Sequence, residues 1–326
     1  MPQIQLPPRP EIVVGFAHAA YRLADAFAAR ETGIAHRSAV DAEGIAAMAP
    51  EIDVLVVSGL WRNPLLDAAP RLRFVQSVSA GTDQYDKTLF RERGVRLASA
   101  QGVNEKAVAE HAMALILALS RQLHHARDNQ NRAFWRPMIG DRSIREDELG
   151  GKTLVVVGFG RIGQRLGRLA KAFDMRVIGL RRDASPAPGA ADDVWPTARL
   201  HEALAIADVL ALTCPLTAET ENLLDAAAFA ALKPGALLVN AARGKVVDDA
   251  ALLAALAAGR VSGAGLDVFR EEPLPAGSPF WSQPNVLVTP HTAGETRRYE
   301  DNVVDILLEN LDRLWRGETG LRNQVV

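Results

Sequence analysis

Three segments late in the chain lead to residues able to hold or move charge: ALLVN runs on to Arg243 in NAARG, GAGLDV to Glu272 in FREEP, and NVLVTP to His291. Each apolar run reads as a strand of a parallel sheet, and ligands of open α/β sheets sit beyond the carboxyl ends of the strands. A guanidinium, a carboxylate and an imidazole delivered to one end of a sheet suit hydride transfer to the carbonyl of an acid. His291 as imidazolium would protonate the carbonyl oxygen, and neutral His291 would take the hydroxyl proton in the reverse direction. Glu272 would bond the other ring nitrogen and favour the charged ring. Arg243 would grip the substrate carboxylate and polarise the carbonyl. A surface ion pair is the competing account of Arg243 and Glu272. His18, His36, His124, His125 and His201 lack such company and read as structural histidines.

A second cluster is Gly158-Phe159-Gly160-Arg161-Ile162-Gly163, a GxGxxG that follows the strand TLVVV and opens a helix over Arg161 to Phe173. Gly158 would make the tight turn, Gly160 would let the backbone approach a pyrophosphate, and Gly163 would let helix and strand pack closely. The amide groups at the start of the helix, with Arg161 and Ile162 in its first turn, then meet the phosphate. Where the second strand, RVIGL, ends at Leu180, an NAD site places an acid for the ribose 2′-hydroxyl. Here Arg181 takes that place with Arg182 beside it, and guanidinium groups pair with a 2′-phosphate. The expected cofactor is therefore NADP(H). NAD(H) stays open as the alternative, with Arg181 and Arg182 as solvated surface residues and Asp183 doing the acid's work two residues on.

Other chemistries fail on spacing. Gly151-Lys152-Thr153 has Glu146 where a P-loop needs its first glycine, and Ser79 in VSAG lacks the leading glycine of a nucleophile elbow because Ser77 stands there. One cysteine, Cys214, excludes an internal disulfide and any multi-cysteine metal site, so no metal is expected.

The elements that must position these residues fall into two series. From Ile12 to Ala98, IVVGF, DVLVV, RFVQSV and VRLA alternate with helical patterns over Ala19 to Ala29, Pro64 to Ala69 and Asp86 to Arg93. A second series runs through TLVVVGFG, RVIGL, DVLALT, ALLVN, GAGLDV and NVLVTP. Such alternation implies parallel strands with crossover helices, and strands so uniformly apolar imply sheets covered on both faces. An apolar helix over Asn104 to Arg121, a polar irregular arm over Gln122 to Gly150, and a helix over Ala293 to Trp315 flank the second series. The expected architecture is α/β, with two Rossmann-like doubly wound parallel-sheet domains joined by hinge helices. Residues 1–103 and 292–326 form a flavodoxin-like substrate domain, and residues 104–291 an inserted dinucleotide-binding domain.

Length and composition agree with two globular domains: 326 residues, 48% hydrophobic and 23% charged. With 37 Lys and Arg against 39 Asp and Glu, the formal net charge of -2 excludes a strong field for nucleic acid or an anionic membrane. The prolines of MPQIQLPPRPEIVVGF interrupt any signal-peptide core, and the run Met113 to Leu119 is far short of the roughly 20 residues of a span. A cytoplasmic protein without membrane or nucleic-acid partners is expected.

Taken together, VSAGTD, VAEHAMALILALSR, VVGFGRIG, CPLTAET, LLVNAARGKVVD, GAGLDVFREEP and TPHTAG make the chain resemble the D-2-hydroxyacid dehydrogenase family over nearly its whole length. The resemblance implies Arg243, Glu272 and His291 as the catalytic trio. It implies that Asp267 and the Ala241 backbone hold the nicotinamide end, that Cys214, Pro215 and Thr220 line the cofactor cleft, and that the Ser79-Ala80-Gly81 backbone binds the substrate carboxylate. It also implies a homodimer built by the Asn104 to Arg121 helix and the following arm. Trp135 in that arm either reaches the partner's cleft or anchors local packing. Arg181, where many members carry Asp, makes the chain similar to the NADPH-preferring glyoxylate and hydroxypyruvate reductases, and retention of Glu272 separates it from formate dehydrogenases. The expected substrates are small 2-keto acids and their D-2-hydroxy products, with the Ser58 to Arg62 turn, including Trp61 and Arg62, as a pocket wall or else a surface turn. A D-lactate or phenylpyruvate type of reductase and a dinucleotide-sensing corepressor-like binding protein are the alternatives.

Overall fold

The β-branched runs of the first series become buried strands, and helices cross between them. In a computed structural model, which describes residues 6–326, the order is β1 (Val13–Ala17), α1 (Leu23–Ala28), β2 (Ala35–Ala39), α2 (Ala42–Met48), β3 (Val54–Val57), α3 (Leu65–Ala68), β4 (Phe74–Ser77), α4 (Lys87–Arg93) and β5 (Arg96–Ala98). The strands are all parallel in the order β2-β1-β3-β4-β5, the flavodoxin-like arrangement. Asp41 and Asp86 start α2 and α4 by accepting hydrogen bonds from the Gly44 and Thr88 amides. Every residue of β3 and β4 is buried, as a sheet covered on both faces requires. Each fully buried Val or Leu of these strands contributes on the order of 1.5–3 kcal/mol.

The second series follows: α5 (Glu105–Ser120), α6 (Leu123–Asn131), β6 (Thr153–Val157), α7 (Arg161–Lys171), β7 (Arg176–Arg181), β8 (Asp193–Pro196), α8 (Leu200–Leu204), β9 (Val209–Leu212), α9 (Ala226–Ala231), β10 (Ala236–Asn240), α10 (Asp249–Ala257), β11 (Val261–Leu266) and β12 (Val286–Val288). These strands are also parallel, in the order β12-β11-β10-β9-β6-β7-β8. Strand order reverses between β6 and β9, the switch point at which such sheets open a crevice for a ligand. The last helix, α11 (Tyr299–Trp315), returns to the first sheet's core through Val303, Leu307 and Leu311. Two compact units result: Met1–Asn104 with Thr296–Val326, and Glu105–Glu295. The first five residues of the domain expected over 1–103 lie outside the described residues.

The structure corrects several sequence expectations. Strands β2 and β8 and helix α2 were not expected. β2, AHRSA, and β8, DVWP, are edge strands with little buried surface, so neither carries an apolar run. The arm over 122–150 is not wholly irregular, because α6 lies in it without a buried residue. The final helix begins at Tyr299 rather than Ala293, and β7 continues one residue past Leu180 to include Arg181. Val325 and Val326 pair with Leu97 and cover the edge at β5. Among the described residues no helix is long and apolar enough to cross a membrane.

Candidate active site

After β6 the chain turns at Gly158 with φ +89°, and a Cβ there would lie 2.4 Å from the Cys214 Cα just beyond β9. Only glycine lets the two segments meet at the switch point. At Gly163 a Cβ would stand 2.8 Å from the Gly158 carbonyl oxygen, so this glycine sets the approach of α7 to β6. Gly160 differs, since apart from itself and its chain neighbours nothing lies within 4 Å of where its Cβ would be, and no side chain caps α7. Open space beside an uncapped helix start fits a dinucleotide pyrophosphate. Arg161 is exposed and Ile162 half-buried in the first turn of that helix.

At the end of β7 the Arg181 guanidinium donates to the Ser185 carbonyl and hydroxyl, while its buried Nε has no hydrogen-bond partner. Asp183 accepts from the amide and the hydroxyl of the same Ser185, both at 3.1 Å, so its carboxylate closes a local turn. Arg182 is exposed. Burial pushes the Cys214 thiol up to about 11, which keeps it an uncharged packing group at neutral pH. The Thr220 hydroxyl donates to the Pro215 carbonyl at 2.8 Å and accepts from the Thr217 amide at 2.7 Å, tying the CPLTAET turn. The Ala241 amide extends the sheet ladder to Leu212 at 3.2 Å.

Arg243, Glu272 and His291 line one depression, together with Leu216, Gly244, Lys245, Phe269 and Arg270. Buried Asn240 shapes the NAARG turn, accepting from the Ala242 amide at 3.0 Å and donating to the Arg243 carbonyl at 3.1 Å. The next residue, Gly244, presses on the following loop: a Cβ there would fall 1.8 Å from the Phe269 carbonyl carbon. This approach places Arg243 beside the FREEP segment. Glu272 is held there by the Phe269 amide, which donates to Oε1 at 2.9 Å, and Oε2 meets His291 Nδ1 at 2.7 Å. With Nδ1 directed to the carboxylate, Nε2 is the nitrogen left for a substrate.

The hydrogen bond to Glu272 raises the His291 pKa above that of an ordinary imidazole; burial opposes it, the Glu272 and Asp267 charges assist, and Arg243 opposes. For Glu272, burial alone would raise the pKa, but the bonds from His291 and the Phe269 amide and the nearby positive charges hold it below the usual carboxylate value.

His291 has φ +56°, a left-handed conformation that a residue with a side chain keeps only when its surroundings enforce it. Asp267, 2% exposed, organises this turn. Its carbonyl accepts the His291 amide at 2.8 Å, Oδ1 accepts the Thr289 hydroxyl at 2.7 Å and the Thr292 amide at 2.9 Å, and Oδ2 accepts the Ala293 amide at 3.0 Å. His111 on α5 reaches Thr289 Oγ1 at 3.0 Å. Sequence reasoning missed Asn240, Thr289 and His111. For His111 one signal existed, a polar ring within the apolar run VAEHAMALILAL.

Ser79, Ala80 and Gly81 belong to the other unit. The Ser79 amide donates to Ser77 Oγ at 3.1 Å, its carbonyl accepts the Ala100 amide at 3.0 Å, and its hydroxyl bonds Ser58. The Ser79 amide is thus engaged within the turn, while Ala80 is exposed. Trp61 is no surface-turn residue: at 2% exposure it packs on Tyr85 and Phe90 in the core, because an indole buries more apolar area there than on a turn. Arg62 folds back on the Gly59 and Trp61 carbonyls. Nor is Trp135 a packing anchor within the chain, since it is 96% exposed. Among the described residues no group of three or more His, Cys, Asp or Glu is placed to hold a metal ion.

Residues 113–293 match the family model described as D-isomer specific 2-hydroxyacid dehydrogenase, NAD binding domain. The chain is 37% identical over 280 residues to D-3-phosphoglycerate dehydrogenase of Mycobacterium bovis, covering 85% of this chain but 52% of the relative, so it spans about half that relative's length. It is 38% identical over 253 residues to glyoxylate/hydroxypyruvate reductase B of Citrobacter koseri, covering 76% of each. A crystal structure of a protein from Thermus thermophilus superimposes with a TM-score of 0.84 at 32% identity, covering 97% of this chain and 100% of the other.

Proposed function

The chain belongs to the D-isomer specific 2-hydroxyacid dehydrogenases, and from that membership we propose that it is an NADP(H)-dependent reductase of small 2-keto acids, glyoxylate or hydroxypyruvate foremost. The observation that carries the reading is the 2.7 Å bond from His291 Nδ1 to Glu272 in the depression that also holds Arg243. A bound nicotinamide supplies the hydride. His291 holds a proton at Nε2 and releases it to the carbonyl oxygen as the carbon is reduced. Glu272 keeps the ring oriented and stabilises its charged form. The Arg243 guanidinium pairs with the substrate carboxylate and polarises the neighbouring carbonyl. The Gly158–Gly163 turn holds the pyrophosphate, Asp267 and Ala241 lie at the nicotinamide end, and the first unit forms a substrate domain.

The NADP(H) preference is supported by Arg181, which ends β7 where an NAD site places its acid, and by Asp183, whose carboxylate closes a local turn with Ser185. Arg181→Asp should move the ratio of kcat/KM for NADPH over NADH toward NADH by about 10-fold or more, the loss of one charge-assisted pair of about 1.5–3 kcal/mol. An unchanged ratio would sink the 2′-phosphate assignment. We also propose a homodimer through the arm, because Trp135 and Met138, 96% and 98% exposed, sit near exposed Phe134 and Ile144 in sequence.

The test of the whole reading is loss of nicotinamide absorbance with NADPH or NADH against glyoxylate, hydroxypyruvate, pyruvate and phenylpyruvate. Turnover is expected with NADPH and a two- or three-carbon keto acid. Faster turnover with phenylpyruvate would shift the substrate class. Tight dinucleotide binding without turnover would replace the enzyme with a binding module.

A further inference from the structure

We propose that His111, on α5, is a positioning residue that holds the His291 turn in place through Thr289 and Asp267. This rests on the reading of His291 as acid and base. His111 Nε2 stands 3.0 Å from Thr289 Oγ1, and Thr289 Oγ1 stands 2.7 Å from Asp267 Oδ1. A hydroxyl has one proton to donate and a carboxylate has none, so the Thr289 proton goes to Asp267. Thr289 can then only accept from His111, which assigns a proton to His111 Nε2. The chain of donors runs one way, from His111 to Thr289 to Asp267, and each bond polarises the next.

What hangs from the end of that chain is the turn carrying His291. The amides of Thr292 and Ala293 are bound by the Asp267 carboxylate, and the His291 amide is bound by the Asp267 carbonyl. The left-handed backbone at His291 depends on those bonds. His111 ties them to a 16-residue helix whose neighbouring Val108, Ala112 and Leu115 are buried, a firmer anchor than the loop itself. The charged groups facing the His291 ring are Glu272, Asp267 and Arg243, and His111 faces Asp267 at 3.6 Å.

The test follows the His291 Cε1–H resonance against pH in the full chain without substrate or cofactor. In His111→Ala the midpoint should move down toward that of an unpaired imidazole as the contact with Glu272 loosens. In His111→Gln, which retains a side-chain N–H donor, it should return toward the unaltered value. Thr289→Val breaks the same chain one link further on and should shift the midpoint in the same direction as His111→Ala. With a keto acid, kcat of His111→Ala should fall on the order of tenfold with KM little changed, less than the 10²-fold that a misplacement of about 1 Å costs. An unaltered midpoint in both His111→Ala and Thr289→Val, with only the melting temperature lowered, overturns the proposal. Absence of turnover in the unaltered protein would overturn the acid–base reading alone, because the titration decides the role of His111 without substrate.

Discussion

His291→Ala is expected to lower turnover by about 10²- to 10⁴-fold, the range contributed by a positioned general acid or base. Dinucleotide affinity should stay near that of the unaltered protein, because the turn at Gly158–Gly163 proposed to hold the pyrophosphate is built by β6, α7 and β9 and takes no bond from His291. Single-turnover rates and fluorescence titration with NADPH separate the two quantities. Equal loss of both would count against a purely acid–base role.

The pH profile carries the same signature. In the proposed mechanism reduction needs the imidazolium, and the His291 pKa is raised by its bond to Glu272, so the group is protonated below that raised value. Reduction should therefore persist above the ordinary imidazole midpoint of about 6.5 and fall as pH rises through the raised one. Oxidation of the hydroxy acid needs the neutral ring and should rise over the same interval. A reduction rate that is flat across that interval would remove His291 from the proton step.

Gly244→Ala should be the most damaging conservative change near the site. The added methyl would sit 1.8 Å from the Phe269 carbonyl carbon and 2.0 Å from its oxygen. Both obstacles are backbone, so no rotamer change relieves them, and the NAARG and FREEP segments must move apart. A cost of about 3 kcal/mol in stability is expected, at the upper end for overpacking. Separation of Arg243 from Glu272 should cost at least about 10²-fold in kcat/KM. The check is a thermal melt alongside kinetics. A variant with wild-type melting and kinetics would show that the close approach at Gly244 does not hold the site together.

Much of the fold was legible because its signals are local. Runs such as TLVVV and DVLALT are apolar throughout only because both faces of the sheet are covered, and the GxGxxG sits where a strand gives way to a helix. The edges were illegible for the converse reason. β2 and β8 face solvent on one side, bury little, and look like loops in sequence. The start of the last helix was misjudged because Ala293 is buried, yet its amide belongs to Asp267 and the helix does not begin until Tyr299.

The candidate site divides along the same line. The sequence by itself determined which chemistries were available: a guanidinium, a carboxylate and an imidazole after three consecutive strands of one sheet, and a glycine turn before a helix. It also placed Arg181 directly after the second strand, which the structure extends by one residue to include it. Only the tertiary structure decided that Gly244 touches Phe269 and that Trp61 belongs to the core. It alone joined His111 to Thr289, 178 positions apart. Residue type and short-range spacing report what a segment can form with itself. Contacts between distant segments depend on how strands order in the sheet and how closely their loops approach, and neither quantity leaves a periodic trace along the chain.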